Sequence, residues 1–241
     1  MTSVAVLGDV HGNARALRAA VAQARNGGFD HLVLMGDLLT YGHDVEEVLD
    51  IVSDAQERYD AALLIGNHDQ MYFDLAEGKR AYVDKLPAWI KESVALTCDR
   101  FDPSSLRDRF KWSPEWWLEG ALFAHADPFE LGEFRYLNSE DDRQAAVTKL
   151  SERGARLGVF GHTHRPLWRE GSVLLANAGS VGQPRDGSRG VLLRLEIEAQ
   201  VIRGAFETLD YDVAAHVHDL ELSGLPVATI ARLRRFFENH Q

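Results

Sequence analysis

Residues 3–13 read SVAVLGDVHGN: five apolar or small residues from Val4 to Gly8, then Asp9, His11 and Asn13 in quick succession. An apolar run of this length bounded by a glycine is a strand buried on both faces. The polar cluster after it lies where such a strand leaves the sheet. The next segment, ARALRAAVAQARNGG, sets Leu17, Ala20, Val21 and Ala24 at helical spacing and stops at Gly27-Gly28. The unit is therefore strand, polar turn, helix.

The same unit recurs. HLVLMGDLLTYG (31–42) leads into DVEEVLDIVSDA (44–55), whose Val45, Val48, Leu49 and Val52 form an apolar helical face, and AALLIGNHD (61–69) opens a third round. Strands that are apolar throughout and alternate with helices predict an α/β core with its sheet covered on both faces. The second half changes texture. EWWLEGALFAHAD (115–127), RPLWREGSVLLANAG (165–179) and GVLLRLEIEAQVIRGAFE (190–207) each read as a hairpin, the first turning at Glu119-Gly120 and the second at Glu170-Gly171-Ser172. Together they predict a second, more antiparallel sheet, and VATIARLRRFFENH (227–240) predicts a closing helix. Residues 70–115 show little alternation and carry Trp89, Phe101, Phe110 and Trp112 among charges, which reads as helices and loops capping the core. With no Pro-rich linker, repeat or low-complexity tract, the 241 residues read as one domain with 70–115 as an insertion.

Composition narrows the function. Against 26 Lys and Arg stand 37 Asp and Glu, a net charge of −11 that disfavours a broad nucleic-acid groove. Cys98 is the only cysteine, which excludes an intrachain disulfide and a thiolate zinc site and suits a reducing cytoplasm. MTSVAVLGD has neither a basic n-region nor an apolar h-region, and no stretch approaches the roughly 20 apolar residues of a membrane span, so a cytoplasmic location is expected.

The chemistry gathers where apolar runs end. Asp9 and His11 follow VAVLG, Asp37 follows LVLMG, Asn67 and His68 follow ALLIG, His125 follows ALFA, and His162 and His164 follow LGVFG. Open α/β sheets bind ligands beyond the carboxyl ends of their strands, which would bring these groups together. In extended backbone, residues two apart point the same way, so Asp9 with His11, and His162 with His164, can each aim two donors at one place. Carboxylates, imidazoles and an amide oxygen without a thiolate suit Mn, Fe, Co, Ni or Zn. The donors exceed what one ion needs, and two ions about 3.5–4 Å apart sharing a carboxylate would use them all. Duller roles compete at each position: Asp9 and Asp37 as caps of the following helices, Asn67 as a turn residue, and His125 or His162 as buried structural histidines. His31, His43, His216, His218 and His240 receive only that structural role, although His43 follows GDLLTYG closely enough to approach the pocket. Trp116-Trp117 reads as hairpin packing.

Five motifs in order, GDVHGN, GDLLTYG, GNHD, the histidine of AHAD, and GHTH, spanning Gly8 to His164, make the chain similar to the calcineurin-like metallophosphoesterases. NAGSVGQPRDG (177–187) resembles the tail signature of their small bacterial members. The resemblance implies a sandwich of two packed mixed sheets flanked by helices. It implies that Asp9, His11 and His164 bind one divalent ion and Asn67, His125 and His162 the other, with Asp37 bridging. Mn²⁺ is the leading metal, with Fe, Ni, Co or Zn as alternatives. By the same resemblance His68 lies beside the scissile phosphate and donates to a phosphoryl oxygen or the leaving group, oriented by Asp69. A water shared by the two cations would be the nucleophile. Asn13 and Arg185 are the candidate substrate contacts, the latter because a guanidinium matches phosphate geometry.

GDLLTYG lacks the Asp-Arg-Gly ending of the Ser/Thr protein phosphatases and symmetrical dinucleoside tetraphosphatases, and AHAD has alanine where relatives often have glycine. The expected activity is hydrolysis of small phosphodiesters or phosphomonoesters by attack of a metal-bridging hydroxide. The competing expectations are a metal-bearing binding module without turnover, which the retained His68 opposes, and a nuclease, which the acidic balance opposes.

Overall fold

The computed structural model describes residues 1–187 and 189–238. Two six- and five-stranded sheets pack face to face. The first runs, edge to edge, β11 (Ile202–Thr208), β10 (Val191–Ile197), β1 (Thr2–Leu7), β2 (His31–Leu34), β3 (Ala62–Leu64) and β4 (Trp112–Ser113). β1 to β4 are mutually parallel, whereas β10 is antiparallel to β1 and to β11. The second runs β5 (Glu115–Leu118), β6 (Ala121–Ala124), β7 (Leu157–Phe160), β9 (Leu174–Asn177) and β8 (Leu167–Arg169), with a parallel centre of β6, β7 and β9 and antiparallel edges.

Alternation along each strand divides the core. Val4 and Val6 of β1, Val33 of β2 and Leu193 and Leu195 of β10 meet Phe123, Leu157, Val159 and Ala176 of the second sheet. Ala5, Leu7, Leu32 and Leu34 face the other way, against α1 (Ala14–Gly27) and α2 (Val45–Tyr59). Behind the second sheet, Leu122, Phe160 and Leu175 pack on Ala146, Val147 and Leu150 of α6 (Glu140–Glu152). The order is helices, sheet, sheet, helix, as the resemblance implied. Both central sheets are buried on two faces, which accounts for strands that are apolar at every position.

The hairpins form where expected. Glu119 and Gly120 have φ of 48° and 80°, the left-handed pair that a two-residue turn between right-twisted strands requires. The third hairpin does not join the second sheet, however. β10 zips antiparallel onto β1, because Leu193, Leu195 and Ile197 supply the apolar face that the inter-sheet layer needs beside Val4 and Val6. The second sheet is antiparallel at both edges, while its three central strands run in one direction.

Residues 70–115 comprise most of α3 (Asn67–Ala76), then α4 (Ala88–Arg100), α5 (Leu106–Arg109) and the edge strand β4. Ile90, Val94, Leu106 and Phe110 enter the same core as α1 and α2. Two C-terminal helices, α7 (Val213–Glu221) and α8 (Val227–Arg234), pack on one another and close this layer, while His240 lies outside the described residues. None of the helices among the described residues is long and apolar enough to cross a membrane.

Candidate metal centre

Seven side chains converge at the ends of β1, β2, β3, β6 and β7, six of them carried on loops and none exposed. Asp9, His11, Asp37, Asn67, His125, His162 and His164 are all at most 7% exposed. One donor from each of Asp9, His11, Asp37 and His164 lies within 4.8 Å of the others, and so do donors from Asp37, His125 and His162. Asp37 belongs to both sets: its Oδ2 is 3.6 Å from His11 Nε2 and 3.5 Å from His125 Nε2. Asn67 Oδ1 is 3.1 Å from His125 Nε2.

The backbone achieves this differently from the expectation. Asp9, His11, Asp37, His162 and His164 all have φ between 42° and 64°, the left-handed region. The paired donors are aimed by tight left-handed turns rather than by the two-residue alternation of a strand. Such backbone is costly for residues with a Cβ and is held here by what surrounds it. The nitrogens of Val10 and His11 donate to Asp37 O at 3.1 and 2.9 Å, lacing the first two motif loops together. Asp9 Oδ1 and Oδ2 each accept from His162 N at 3.1 Å, tying the first loop to the last. The glycines of the motifs have a steric reason. A Cβ on Gly66 would stand 2.2 Å from Asp37 Oδ1, and one on Gly161 would stand 2.6 Å from Asp9 Oδ2.

Neither Asp9 nor Asp37 caps a helix. Asn13 is the cap of α1, its Oδ1 accepting from Ala16 N at 3.0 Å, and Asp44 occupies that position for α2. Asn13 is fully buried, and its amide donates to Gly182 O at 3.1 Å, so it has no face open to substrate, contrary to the sequence expectation. Asp69 does not orient His68 either. Its carboxylate accepts from the backbone nitrogens of Gly66, Asp37 and Leu38 at 2.9, 2.7 and 3.1 Å, clamping the second motif loop to the third. His68 is positioned instead by residues the sequence did not single out. Its Nδ1 is 3.1 Å from Thr40 Oγ1, which is 2.8 Å from Tyr72 Oη, and its Nε2 is 3.3 Å from Tyr41 Oη. Thr40 and Tyr41 are the residues of GDLLTYG that replace the Asp-Arg pair, and that departure was the available signal.

Proton placement decides what the cluster can hold. His11 Nδ1 lies 3.1 Å from Leu39 O, His125 Nδ1 2.7 Å from Met35 O, and His164 Nδ1 2.6 Å from Gln183 O. A carbonyl can only accept, so each Nδ1 carries a proton, and the neutral rings of His11 and His164 turn a bare Nε2 inward. His11 Nε2 and His164 Nε2 then face one another at 3.1 Å, lone pair against lone pair. Nε2 of His162 is buried without a hydrogen-bond partner among the described residues. Burial lowers His11 and His162 to about 3 and His164 well below its ordinary value, keeping all three rings neutral. Burial likewise pushes Asp9 up to about 7, with the charge of Asp37 adding to it. Desolvation opposes charge on His125 and on Asp37 as well, but their attraction prevails, raising the former to about 10 and holding the latter well below the carboxylate range. A buried acceptor-rich pocket whose only charge compensation is a borrowed proton is a cation site by its chemistry.

The segment 177–187 braces this floor. Ser180 Oγ donates to Asp9 O at 2.7 Å, Gly182 N donates to the same carbonyl at 3.1 Å, and Gln183 supplies the carbonyl that holds His164. The half-buried Arg185 lowers the proton affinity of Asp9, His11, His68, His162 and His164 through its charge, so its guanidinium faces much of the cluster.

Residues 2–200 match the family model of the calcineurin-like phosphoesterase superfamily domain. The chain belongs to that superfamily. Among its relatives, MJ0912 of Methanocaldococcus jannaschii is 25% identical over 92% of this chain and 93% of its own length. A metallophosphoesterase from Sphaerobacter thermophilus superposes with a TM-score of 0.77 at 22% identity, covering 98% of this chain and 99% of that one. PH1004 from Pyrococcus horikoshii superposes with a TM-score of 0.80 at 18% identity, covering 97% and 98%. These solved structures share the fold of two helix-flanked mixed sheets. Membership of a phosphoesterase family with a buried His/Asp cluster supports divalent metal binding and hydrolase chemistry.

Proposed function

We propose that this phosphoesterase works through two divalent ions and hydrolyses small phosphodiesters or phosphomonoesters. The single observation that carries the reading is the pair of facing Nε2 lone pairs of His11 and His164, beside Asp9 and Asp37 and with no proton to separate them. Asp9, His11 and His164 would hold one ion, Asn67, His125 and His162 the other, and Asp37 both. The donor set suits Mn²⁺ first, then Fe, Ni, Co or Zn. Bound there, the ions supply an activated water and offset the charge that grows on the phosphoryl oxygens.

The chain's own groups do the rest. Burial holds His68 below its ordinary value, and its contact with Thr40 fixes the ring, so the neutral imidazole can donate a hydrogen bond to a phosphoryl oxygen. Arg185 offers a planar cation to the phosphate. Beside the floor a 370 Å³ cavity lined by Asn67, Met71, Tyr82, Phe134, Tyr136 and His162 gives room for a small organic group on the ester. We read the 241 residues as one domain, the 70–115 segment contributing to this wall, and the lone, half-buried Cys98 fits a reducing cytoplasm.

The test uses metal-stripped protein reloaded in turn with Mn²⁺, Ni²⁺, Mg²⁺ and Zn²⁺, offered p-nitrophenyl phosphate and bis-p-nitrophenyl phosphate. Metal-dependent turnover is expected, and His68→Ala should lower kcat by roughly 10²–10³-fold, the usual contribution of one preorganised hydrogen-bond donor, while its metal content stays unchanged. Turnover that needs no metal, or a fully active His68→Ala, would refute the assignment.

A further inference from the structure

A second His/Asp cluster, its two histidines buried and its aspartate partly so, shares no residue with the first and is not used by the reaction above. His43 and Asp44 stand between the second motif loop and α2, and His216 projects from α7. One donor atom from each lies within 4.8 Å of the others. His43 Nε2 is 3.1 Å from Asp44 Oδ1, and the rings of His43 and His216 stack with centroids 5.4 Å apart and planes 23° from parallel. His43 is 8% exposed and His216 1%, yet Nδ1 of each has no hydrogen-bond partner among the described residues. Two orphaned imidazole nitrogens side by side lose their solvation without compensation unless something satisfies them.

We propose that His43, Asp44 and His216 form a third metal site, taking one divalent transition-metal ion such as Zn²⁺ with two imidazoles and a carboxylate. The donor set is of the nitrogen and oxygen kind that Zn²⁺, Ni²⁺ and Co²⁺ prefer, and three protein ligands leave a fourth position for water. The frame is already rigid. The other oxygen of Asp44 accepts from Ala14 N at 3.2 Å, and Arg100 donates to the carbonyls of His43 and Ser223 at 2.6 and 2.7 Å, pinning the loop to the end of α7. Burial pushes His216 down to about 4, which keeps its ring available as a neutral ligand. An ion here would tie α7 to the loop that continues from Asp37 through Tyr41. That loop already bonds the first motif, Gly42 N to His11 O and Asp44 N to Gly12 O, each at 3.0 Å. Its role is structural: it locks the closing helices onto the backbone that carries the catalytic floor.

The experiment is metal stoichiometry. The full chain is stripped with chelator, saturated with Zn²⁺, freed of unbound ion by gel filtration and analysed by mass spectrometry of the metal. His43→Gln and His216→Gln, checked for native circular dichroism, are each expected to hold one equivalent less than wild type. The double variant should lose that same single equivalent and no more. Equal stoichiometry in wild type and both variants overturns the site. Should the variants not fold, a wild-type crystal grown with Zn²⁺ decides: an anomalous peak among the three side chains supports the proposal, and its lack there refutes it. The difference of one equivalent is read whether or not the Asp37 cluster binds metal, so failure of the phosphoesterase reading would be seen separately.

Discussion

The floor of the site and its wall are built by different means. The floor consists of short loops that leave buried strands, all but the one carrying His125 entered through a glycine, with left-handed backbone at five of the seven converging residues. Its side chains are fixed through backbone carbonyls at 2.6–3.1 Å and have almost no exposure. The wall is made of aromatic side chains from irregular or helical segments. Tyr82 and Tyr136 are 45% and 48% exposed, and their anchoring is slight: Tyr82 Oη accepts from Asn67 Nδ2 at 3.4 Å, and the Tyr136 ring lies 3.9 Å from that of His162. A reaction centre must hold charge to within fractions of an ångström, whereas a surface that receives an organic group needs only shape and apolar area. The floor should therefore be intolerant of change and the wall adjustable.

Asp37→Asn tests the floor hardest. Asp37 is common to both donor sets and also accepts from His68 N at 2.8 Å, a hydrogen bond the amide oxygen can still accept. The substitution thus removes one negative charge and leaves the shape. Loss of activity by at least about 10³-fold is expected, the scale of removing one preorganised electrostatic group, together with a fall in bound metal. Full metal content with near-normal kcat would show that the carboxylate is not central to the floor.

The floor was legible in the sequence because its constraints are local. A carboxylate, amide or imidazole must follow closely on an apolar run, in most cases through a glycine, so Asp9, Asp37, Asn67, His125, His162 and His164 could be picked out by position. What was misread concerned partners distant in sequence. Asp69 was expected to orient His68, but groups 28–32 residues away in the chain settle both roles: the Thr40 hydroxyl takes the imidazole, and the backbone nitrogens of Asp37 and Leu38 take the carboxylate. Asn13 has the side chain of a phosphate contact, yet its local competition, a helix N-terminus three residues on, wins. The third hairpin showed its two strands but not its sheet, since pairing with β1 depends on a face match across nearly 190 residues. His43 and His216 look structural one at a time, and only the packing of α7 against the loop sets them together.

Gly161→Ala probes the floor by volume rather than charge. The new Cβ would stand 2.6 Å from Asp9 Oδ2, inside any normal contact, and Asp9 is held there by His162 N. The carboxylate must shift by several tenths of an ångström. The expected result is a weakening of metal affinity by about 10–100-fold, comparable to disturbing a group that orients a ligand. Overpacking should cost about 1–3 kcal/mol of stability, read by thermal unfolding. Activity should recover in part at high metal concentration. An unchanged metal affinity would mean that the floor yields more easily than its hydrogen bonds imply.

Tyr136→Ala is the matching probe of the wall and should have the smallest effect. The ring is half in solvent and packs on His162 with planes 32° apart, so its loss removes an aromatic face from the cavity without touching Asp9, Asp37 or the backbone carbonyls that fix the imidazoles. Aromatic pairs contribute about 0.5–1.5 kcal/mol beyond buried area, which corresponds to roughly a two- to tenfold rise in KM for an ester bearing an aryl group. A methyl ester of the same phosphate gains little from stacking, so its KM should move far less. Bound metal should stay at the wild-type level in either case. The contrast between the two substrates is the decisive reading: an equal rise for aryl and methyl esters, or a loss of metal, would place Tyr136 with the floor, as a support for His162, and the division between a rigid base and an adaptable rim would fail at that residue.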